Sequence, residues 1–221
     1  MRYGLVKENQ FGFTKGGRTD YNHFILQYLA ERTRSIKRKY YKNLIIVAID
    51  FKKAFDSVDR GKLVEVLVKY KIHPEVIDMM VKVYSGDKTF LRLGGKVAEV
   101  EVTSGIRQGC TASTLFFKIV TFIILERLEE LGVMFEVEGI LISSLWFCDD
   151  TTMIANSIEA ARKNIKIIKE VGREFGLEIN EGKSSALVYG NGEGVKVNHI
   201  EGIQVVNKIT YLGLVVGNIN E

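Results

Sequence analysis

Apolar residues recur along this chain with two different periods, and the switches between them mark out its elements. Tyr21, Phe24, Ile25, Tyr28 and Leu29 repeat at helical spacing, with Thr19 placed to cap the helix and Asp20 in its first turn. Leu44-Ile45-Ile46-Val47-Ala48-Ile49 is a near-continuous, β-branched apolar run ending in Asp50, which predicts a strand buried on both faces at a sheet centre. Helices are expected over about 59–70, with Asp59 as cap, and about 74–85, with Pro74 in the first turn. Alternating polarity on either side of Gly94-Gly95 reads as a hairpin of strands 89–93 and 97–102. After the glycine-bounded loop Ser104-Gly105-Ile106-Arg107-Gln108-Gly109-Cys110, a long apolar helix is expected over about 112–131.

The stretch from Leu145 to Ala155 repeats the strand pattern with Asp149 and Asp150 at its middle, and reads as strand, tight turn, strand. Ser157 can cap a helix over 158–175 with Ile158, Ala161, Ile165, Ile168 and Phe175 on one side. Short strands at 177–180, 186–189, 202–206 and 209–216 close the chain, with a glycine-rich turn at Gly190-Asn191-Gly192-Glu193-Gly194. Residues 1–18 are polar and glycine-bearing, and read as a loop. The order of elements contains a split βαβ plan, so the predicted class is α+β: a ferredoxin-like antiparallel sheet with helices packed on one face. The opposite face is expected to stand open for a substrate.

Composition narrows this only a little. A chain of 221 residues with 46% hydrophobic and 26% charged residues can bury a sizeable core, and a net charge of +4 permits nucleic-acid binding without proving it. Cys110 and Cys148 cannot build a disulfide framework or a zinc site, which suggests a reducing, intracellular compartment. Lys37-Arg38-Lys39 is too short to decide between nucleus and cytoplasm. The longest apolar run, Leu115 to Leu125, is broken by Lys118 and falls short of the ~20 residues that span a bilayer, so no membrane partner is expected. His23, His73 and His199 show no ligand spacing. The basic residues Arg32, Arg34, Lys37, Arg38, Lys39 and Lys42 suit either a solvated helix end or a phosphate-backbone contact.

The candidate chemistry lies in the acids. Asp149-Asp150 alone is an ordinary solvated turn, whereas Asp50 at the end of a buried apolar strand is a costly place for a lone charge. If the two strands are neighbours, the three carboxylates converge, and a divalent cation would relieve their repulsion. Oxygen ligands favour magnesium, with manganese as an alternative, and a pair of such ions suits in-line phosphoryl transfer.

Around these acids the chain resembles the reverse transcriptases of retrotransposons without long terminal repeats, with group II intron maturases nearby. Ala48-Ile49-Asp50-Phe51-Lys52-Lys53-Ala54-Phe55-Asp56-Ser57-Val58 is similar to their motif A, Ser104 to Cys110 to motif B, and Phe147-Cys148-Asp149-Asp150 to motif C. Ile179-Asn180-Glu181-Gly182-Lys183-Ser184 resembles motif D, and Tyr211-Leu212-Gly213 the primer grip. Asn9-Gln10-Phe11-Gly12-Phe13 resembles the fingers segment that precedes motif A. The resemblance runs from about residue 9 to 215.

It implies an RNA-directed DNA polymerase that adds deoxynucleotides to a primer 3′-hydroxyl with two Mg²⁺ ions held by Asp50, Asp149 and Asp150. Phe51, Phe55, Arg107, Gln108 and Gly109 would bind the nucleotide, with Phe55 as the gate against a ribose 2′-hydroxyl. Lys183 would serve the departing pyrophosphate, and Tyr211, Leu212 and Gly213 would hold the primer. Implied partners are an RNA template, a DNA primer and deoxynucleoside triphosphates. The implied division is partial fingers over 1–42, palm over 43–61, fingers over 62–103 and palm over 104–221, ending at the primer grip. A thumb is absent from this plan, and other domains of a larger polyprotein are expected to be missing.

Three departures temper it. Cys110 is followed by Thr111-Ala112-Ser113-Thr114 where the family carries prolines, Cys148 replaces a usual alanine, and the basic fingers strands have no counterpart, although Lys15 and Arg18 could stand in partly. A decayed remnant that binds nucleic acid without turnover is the alternative. A metal-dependent nuclease fits the acids but not Phe55, Gln108 or the motif order.

Overall fold

A computed structural model describes residues 10–12, 16–35, 43–190 and 197–217. The loop expected over 1–18 falls largely outside these residues, as do Lys15, the basic positions 37–42 and Asn191 to Gly194 of the glycine-rich turn. Helix α1 spans Thr19–Ser35; Thr19 is its first residue rather than its cap. Strand β1 (Asn43–Ile49) leads through a short helix α2 (Ala54–Ser57) to α3 (Arg60–Lys69) and α4 (Pro74–Tyr84). The Asp59 carboxylate accepts from the Lys62 N–H at the start of α3, the cap that the sequence predicts, and Pro74 opens α4. Strands β2 (Lys88–Leu93) and β3 (Lys96–Glu101) form the expected hairpin, and α5 runs from Thr111 to Leu131.

Two short strands that sequence periodicity did not reveal follow, β4 (Phe135–Val137) and β5 (Ile140–Ile142). The acidic hairpin comprises β6 (Ser144–Phe147) and β7 (Asp150–Ala155). Helix α6 (Ile158–Glu174) is capped by Ser157, whose hydroxyl accepts from the Ala160 N–H. Strands β8 (Ser185–Gly190), β9 (His199–Ile200), β10 (Ile203–Val206), β11 (Lys208–Tyr211) and β12 (Leu214–Gly217) complete the described chain. Among the described residues, no helix is long and apolar enough to cross a membrane.

The central sheet has the order β6-β7-β1-β8-β10-β9. Strand β1 lies antiparallel to both β7 and β8, and the path β1–α5–β6–β7–α6–β8 is the ferredoxin-like split βαβ arrangement. Crossover helices α5 and α6 pack on one face, where Ile45, Val47 and Ile49 of β1 meet Phe117, Ile124, Leu128, Ile165 and Ile168. The opposite face is not open as expected. There Leu44 and Ile46 form a second core with Leu26 and Leu29 of α1, Phe135, and Ile209, Tyr211 and Val216 of the last hairpin. The reason was visible in β1 itself: side chains alternate across a sheet, so a strand without polar positions needs cover on both sides.

Two further expectations change. Residues 177–180 form no strand; they meet β1's end through a bridge between Phe51 and Ile179, with the Lys52 N–H donating to the Glu178 carbonyl and the Asn180 N–H to the Asp50 carbonyl. The single strand expected over 209–216 is a hairpin turning at Leu212-Gly213, both with positive φ, the pattern of a type I′ turn.

Trp146 of β6 is a large side chain of the main core. It is 0% exposed, stacks with Phe51 at 6.0 Å between ring centroids, and its indole N–H donates to the Ser144 hydroxyl (3.0 Å). Truncation leaves a large cavity, so Trp146→Ala should lower stability by about 3–5 kcal/mol in urea unfolding followed by circular dichroism. A loss below ~1 kcal/mol would show that the site collapses without cost.

Candidate active site

The ladder between β1 and β7 pairs Ile49 with Thr151, and that between β6 and β7 pairs Phe147 with Asp150. Asp50 therefore follows β1 beside Asp150, and Cys148-Asp149 form the two-residue turn that joins β6 to β7. Cys148 has φ 60° there, an uncommon conformation for a residue with a side chain. The peptide of Asp50 is fixed from the other side of the sheet: its N–H donates to the Ser184 hydroxyl (3.0 Å), and its carbonyl accepts from the Asn180 N–H (2.7 Å). Lys183 sits in that same turn, its N–H bonded to the Asn180 carbonyl, and its side chain is exposed.

Asp150 senses the other two acids. Partial burial, then the like charges of Asp149 and Asp50, hold the Asp150 carboxyl above the usual carboxylate range. Burial, then the charges of Asp149 and Asp150, pushes the Cys148 thiol up to about 12, so it stays protonated at neutral pH. The convergence expected from the sequence is present but incomplete. Among the described residues, no three acid, histidine or cysteine side chains already stand at metal-ligand spacing. Like charges with no cation between them repel, and the donor set itself, hard oxygens of one sign at one end of a rigid ladder, fits a divalent cation.

Beside the acids lies a cavity of about 550 Å³ lined by Phe55, Gln108, Gly109, Cys110, Thr111, Thr114 and Asp149. Phe55 stacks on Phe117 with centroids 4.7 Å apart, so the ring is braced from behind by α5 while half-exposed toward the cavity. The loop 104–110 is stitched to α2: the Gly105 N–H donates to the Val58 carbonyl and the Ile106 N–H to the Phe55 carbonyl, both at 2.8 Å. Gly105 has φ 85°, and a Cβ there would lie 2.5 Å from the Asp56 carbonyl oxygen, so only glycine permits this approach. Gln108 donates from Nε2 to the Asp56 carboxylate (3.4 Å).

Other predicted residues are placed differently. Arg107 does not line the cavity; it pairs with Asp87 (2.9 Å), which also holds Arg60 (3.0 Å). Arg60 in turn donates to the carbonyls of Gly105 (2.6 Å) and Val102 (2.8 Å), which ties the loop to the base of the β2–β3 hairpin. The Phe51 ring is buried against Trp146, away from the cavity. Tyr211 is 4% exposed, and its hydroxyl accepts from Asn22 Nδ2 (3.0 Å) and reaches the carbonyls of Leu145 and Asp150 (3.4 Å each). The neighbouring turn is held by the His23 Nε2–H bond to the Leu212 carbonyl (3.1 Å), and Gly213 is exposed. Sequence reasoning missed Asp56, Asp87, Asn22 and Ser184. Asp56, beside Phe55, and Ser184, beside Lys183, carried a signal of position; Asn22 and Asp87 carried none.

A family model described as reverse transcriptase (RNA-dependent DNA polymerase) matches residues 2–216. The chain is 30% identical over 217 residues to a retrovirus-related Pol polyprotein from the type-1 retrotransposable element R2 of Nasonia vitripennis, covering 96% of this chain and 21% of that polyprotein. It is 23% identical to the transposon TX1 uncharacterized 149 kDa protein of Xenopus laevis, over 81% of this chain and 14% of that protein. The chain thus spans about a fifth or less of these relatives. Among solved structures, apo telomerase from Candida tropicalis, truncated from its C-terminal domain, superposes with a TM-score of 0.65 at 16% identity, over 90% of this chain and 38% of that one. That likeness is one of fold.

The crowding of charge at Asp150 has a measurable cost. Its carboxyl is raised in the folded chain relative to the unfolded one, so the folded state loses stability as pH rises through the folded value. In chelator-treated protein, Asp150→Asn should therefore melt higher than the parent at pH 7, and the gap should close below the ordinary carboxylate value of about 4. Thermal melts across pH check this, and an equal or lower melting temperature at pH 7 would contradict it.

Proposed function

Because the chain belongs to the reverse transcriptase (RNA-dependent DNA polymerase) family, we propose that it carries the polymerase centre of an RNA-directed DNA polymerase of a non-long-terminal-repeat retrotransposon. The observation that carries this reading is the meeting of Asp50 with Asp150 across the β1–β7 ladder, next to a cavity that Phe55, Gln108 and Asp149 share. The substrates would be an RNA template, a DNA primer and a deoxynucleoside triphosphate. Residues 43–61 and 104–217 would form the palm, with 62–103 and the preceding helix in the fingers.

Asp50, Asp149 and Asp150 would hold two Mg²⁺ ions, or Mn²⁺ in their place. Such ions, when bound, supply the charge that steadies the attacking and departing oxygens of an in-line displacement. The primer 3′-oxygen forms the new bond to the α-phosphorus as its proton leaves, and the bond to pyrophosphate breaks. Lys183 stands in the turn beside Asp50, where it can hand a proton to the pyrophosphate. Phe55, braced by Phe117, would stand as the gate against a 2′-hydroxyl on the bound sugar. Gln108 presents its amide to the nucleotide while Asp56 fixes its rotamer, and Gly109 lets backbone approach closely. Arg107 contributes from outside the cavity through its pair with Asp87, and Phe51 through packing alone. Tyr211 anchors Leu212 and Gly213, whose turn offers backbone to the primer end.

Primed poly(rA), thymidine triphosphate and Mg²⁺ test the reading directly. Asp149→Ala should reduce extension by at least ~100-fold. Extension that survives the substitution removes the acids from the reaction, and no extension by the parent returns the reading of a fold that binds nucleic acid without turnover. On primer extension with mixed triphosphates, Phe55→Val should raise ribonucleotide incorporation relative to deoxynucleotide by about 10-fold or more. An unchanged ratio removes Phe55 as the gate.

A further inference from the structure

The short segment before α1 touches the acidic turn through one side chain. Gln10 lies in a parallel bridge with Trp146 on the outer edge of β6 and is 2% exposed. Its carboxamide meets both backbone polar groups of Cys148: Oε1 accepts from the N–H (3.1 Å) and Nε2 donates to the carbonyl (3.2 Å). The amide is itself held by Nε2 donating to the Thr121 hydroxyl of α5 (3.3 Å) and by the Gly12 N–H donating to Oε1 (3.0 Å). The Phe11 N–H donates to the Trp146 carbonyl (2.9 Å), so the segment runs along β6 as a strand neighbour would. Gly12 rests on the same peptide, where a Cβ would fall 2.2 Å from the Cys148 nitrogen.

This arrangement answers a local problem. A two-residue turn at the end of an edge strand leaves its N–H and C=O without ladder partners, and Cys148 carries an uncommon positive φ that persists only when its surroundings over-determine it. A carboxamide offers one donor and one acceptor at the spacing of a peptide, which an alkyl, hydroxyl or carboxylate side chain cannot do.

We propose that Gln10 is a positioning residue for the catalytic turn, its carboxamide clasping the Cys148 peptide and so fixing the direction in which Asp149 and Asp150 present their carboxylates. Its catalytic consequence rests on the polymerase reading; the clasp itself does not. Gln10→Met keeps length and volume but removes both bonds to Cys148. Gly12→Ala attacks the same peptide by steric pressure.

Amide hydrogen exchange on the 221-residue chain, read by NMR, tests the clasp without any turnover. In Gln10→Met the Cys148 amide should exchange about 10-fold faster or more, while amides at the centre of the β1–β8 ladder keep the parent's rates. In parallel extension assays, the Mg²⁺ concentration for half-maximal rate should rise ~10-fold with the KM for thymidine triphosphate unchanged, and Gly12→Ala should shift both readouts the same way. Unchanged exchange at Cys148 overturns the proposal, as does acceleration spread evenly over β1 and β8, or a KM that moves while the Mg²⁺ dependence does not. A parent chain that extends no primer counts against the polymerase reading alone, and the exchange rates still decide the clasp.

Discussion

A strand that is apolar on both faces has to be covered on both faces, and most of this molecule follows from that requirement in β1. On one side α5 and α6 supply the cover, with Ile45, Val47 and Ile49 facing their helical partners. On the other, α1 and the β11–β12 hairpin close over Leu44 and Ile46. Burying roughly 1.5–3 kcal/mol worth of apolar surface per large side chain on each side makes this strand hard to shift. Its end is accordingly a fixed point. Asp50 emerges there, and its approach to Asp150, one step beyond the Ile49–Thr151 pair, is set by register rather than by any affinity between the two acids.

The acidic end is held mainly through backbone. The Asp50 peptide is bonded on both sides by the 180–184 turn, and the Cys148 peptide is clasped by Gln10. The carboxylates themselves are left to point outward and repel. Supports of this kind bring the like charges near one another by fixing the backbone on either side of them, so the scaffold and not any attraction between the acids sets their positions.

The cavity beside the acids is assembled from two segments far apart in sequence, α2 with Phe55 and the loop 104–110, joined by short backbone bonds across Gly105. Behind them, Arg60 and Arg107 converge on Asp87, and Arg60 lies over the Tyr84 ring at 4.6 Å, while the Tyr84 hydroxyl meets Ser113 of α5 (2.7 Å). These contacts link the cavity loop to the base of the β2–β3 hairpin. Arg107, adjacent to Gln108, thus serves the cavity by holding the loop in place.

Local pattern determined much of this. The period of apolar residues located α3, α4, α5, α6, the β2–β3 hairpin and the acidic hairpin to within a residue or a few, because those elements bury one continuous face or stripe. The resemblance of short ordered motifs then pointed to the acids and to Phe55 and Gln108, since their chemistry is written in residue type and spacing. It could not place Arg107 or Phe51, whose side chains turn to Asp87 and Trp146, because both partners lie tens of residues away. Strands β4, β5 and β9 were too short for any period to register. The Asp56–Gln108 pair and the Gln10 clasp are products of the tertiary fold alone. Each joins groups 50 residues or more apart, and a hydrogen bond between distant segments leaves no periodic trace in the chain that forms it.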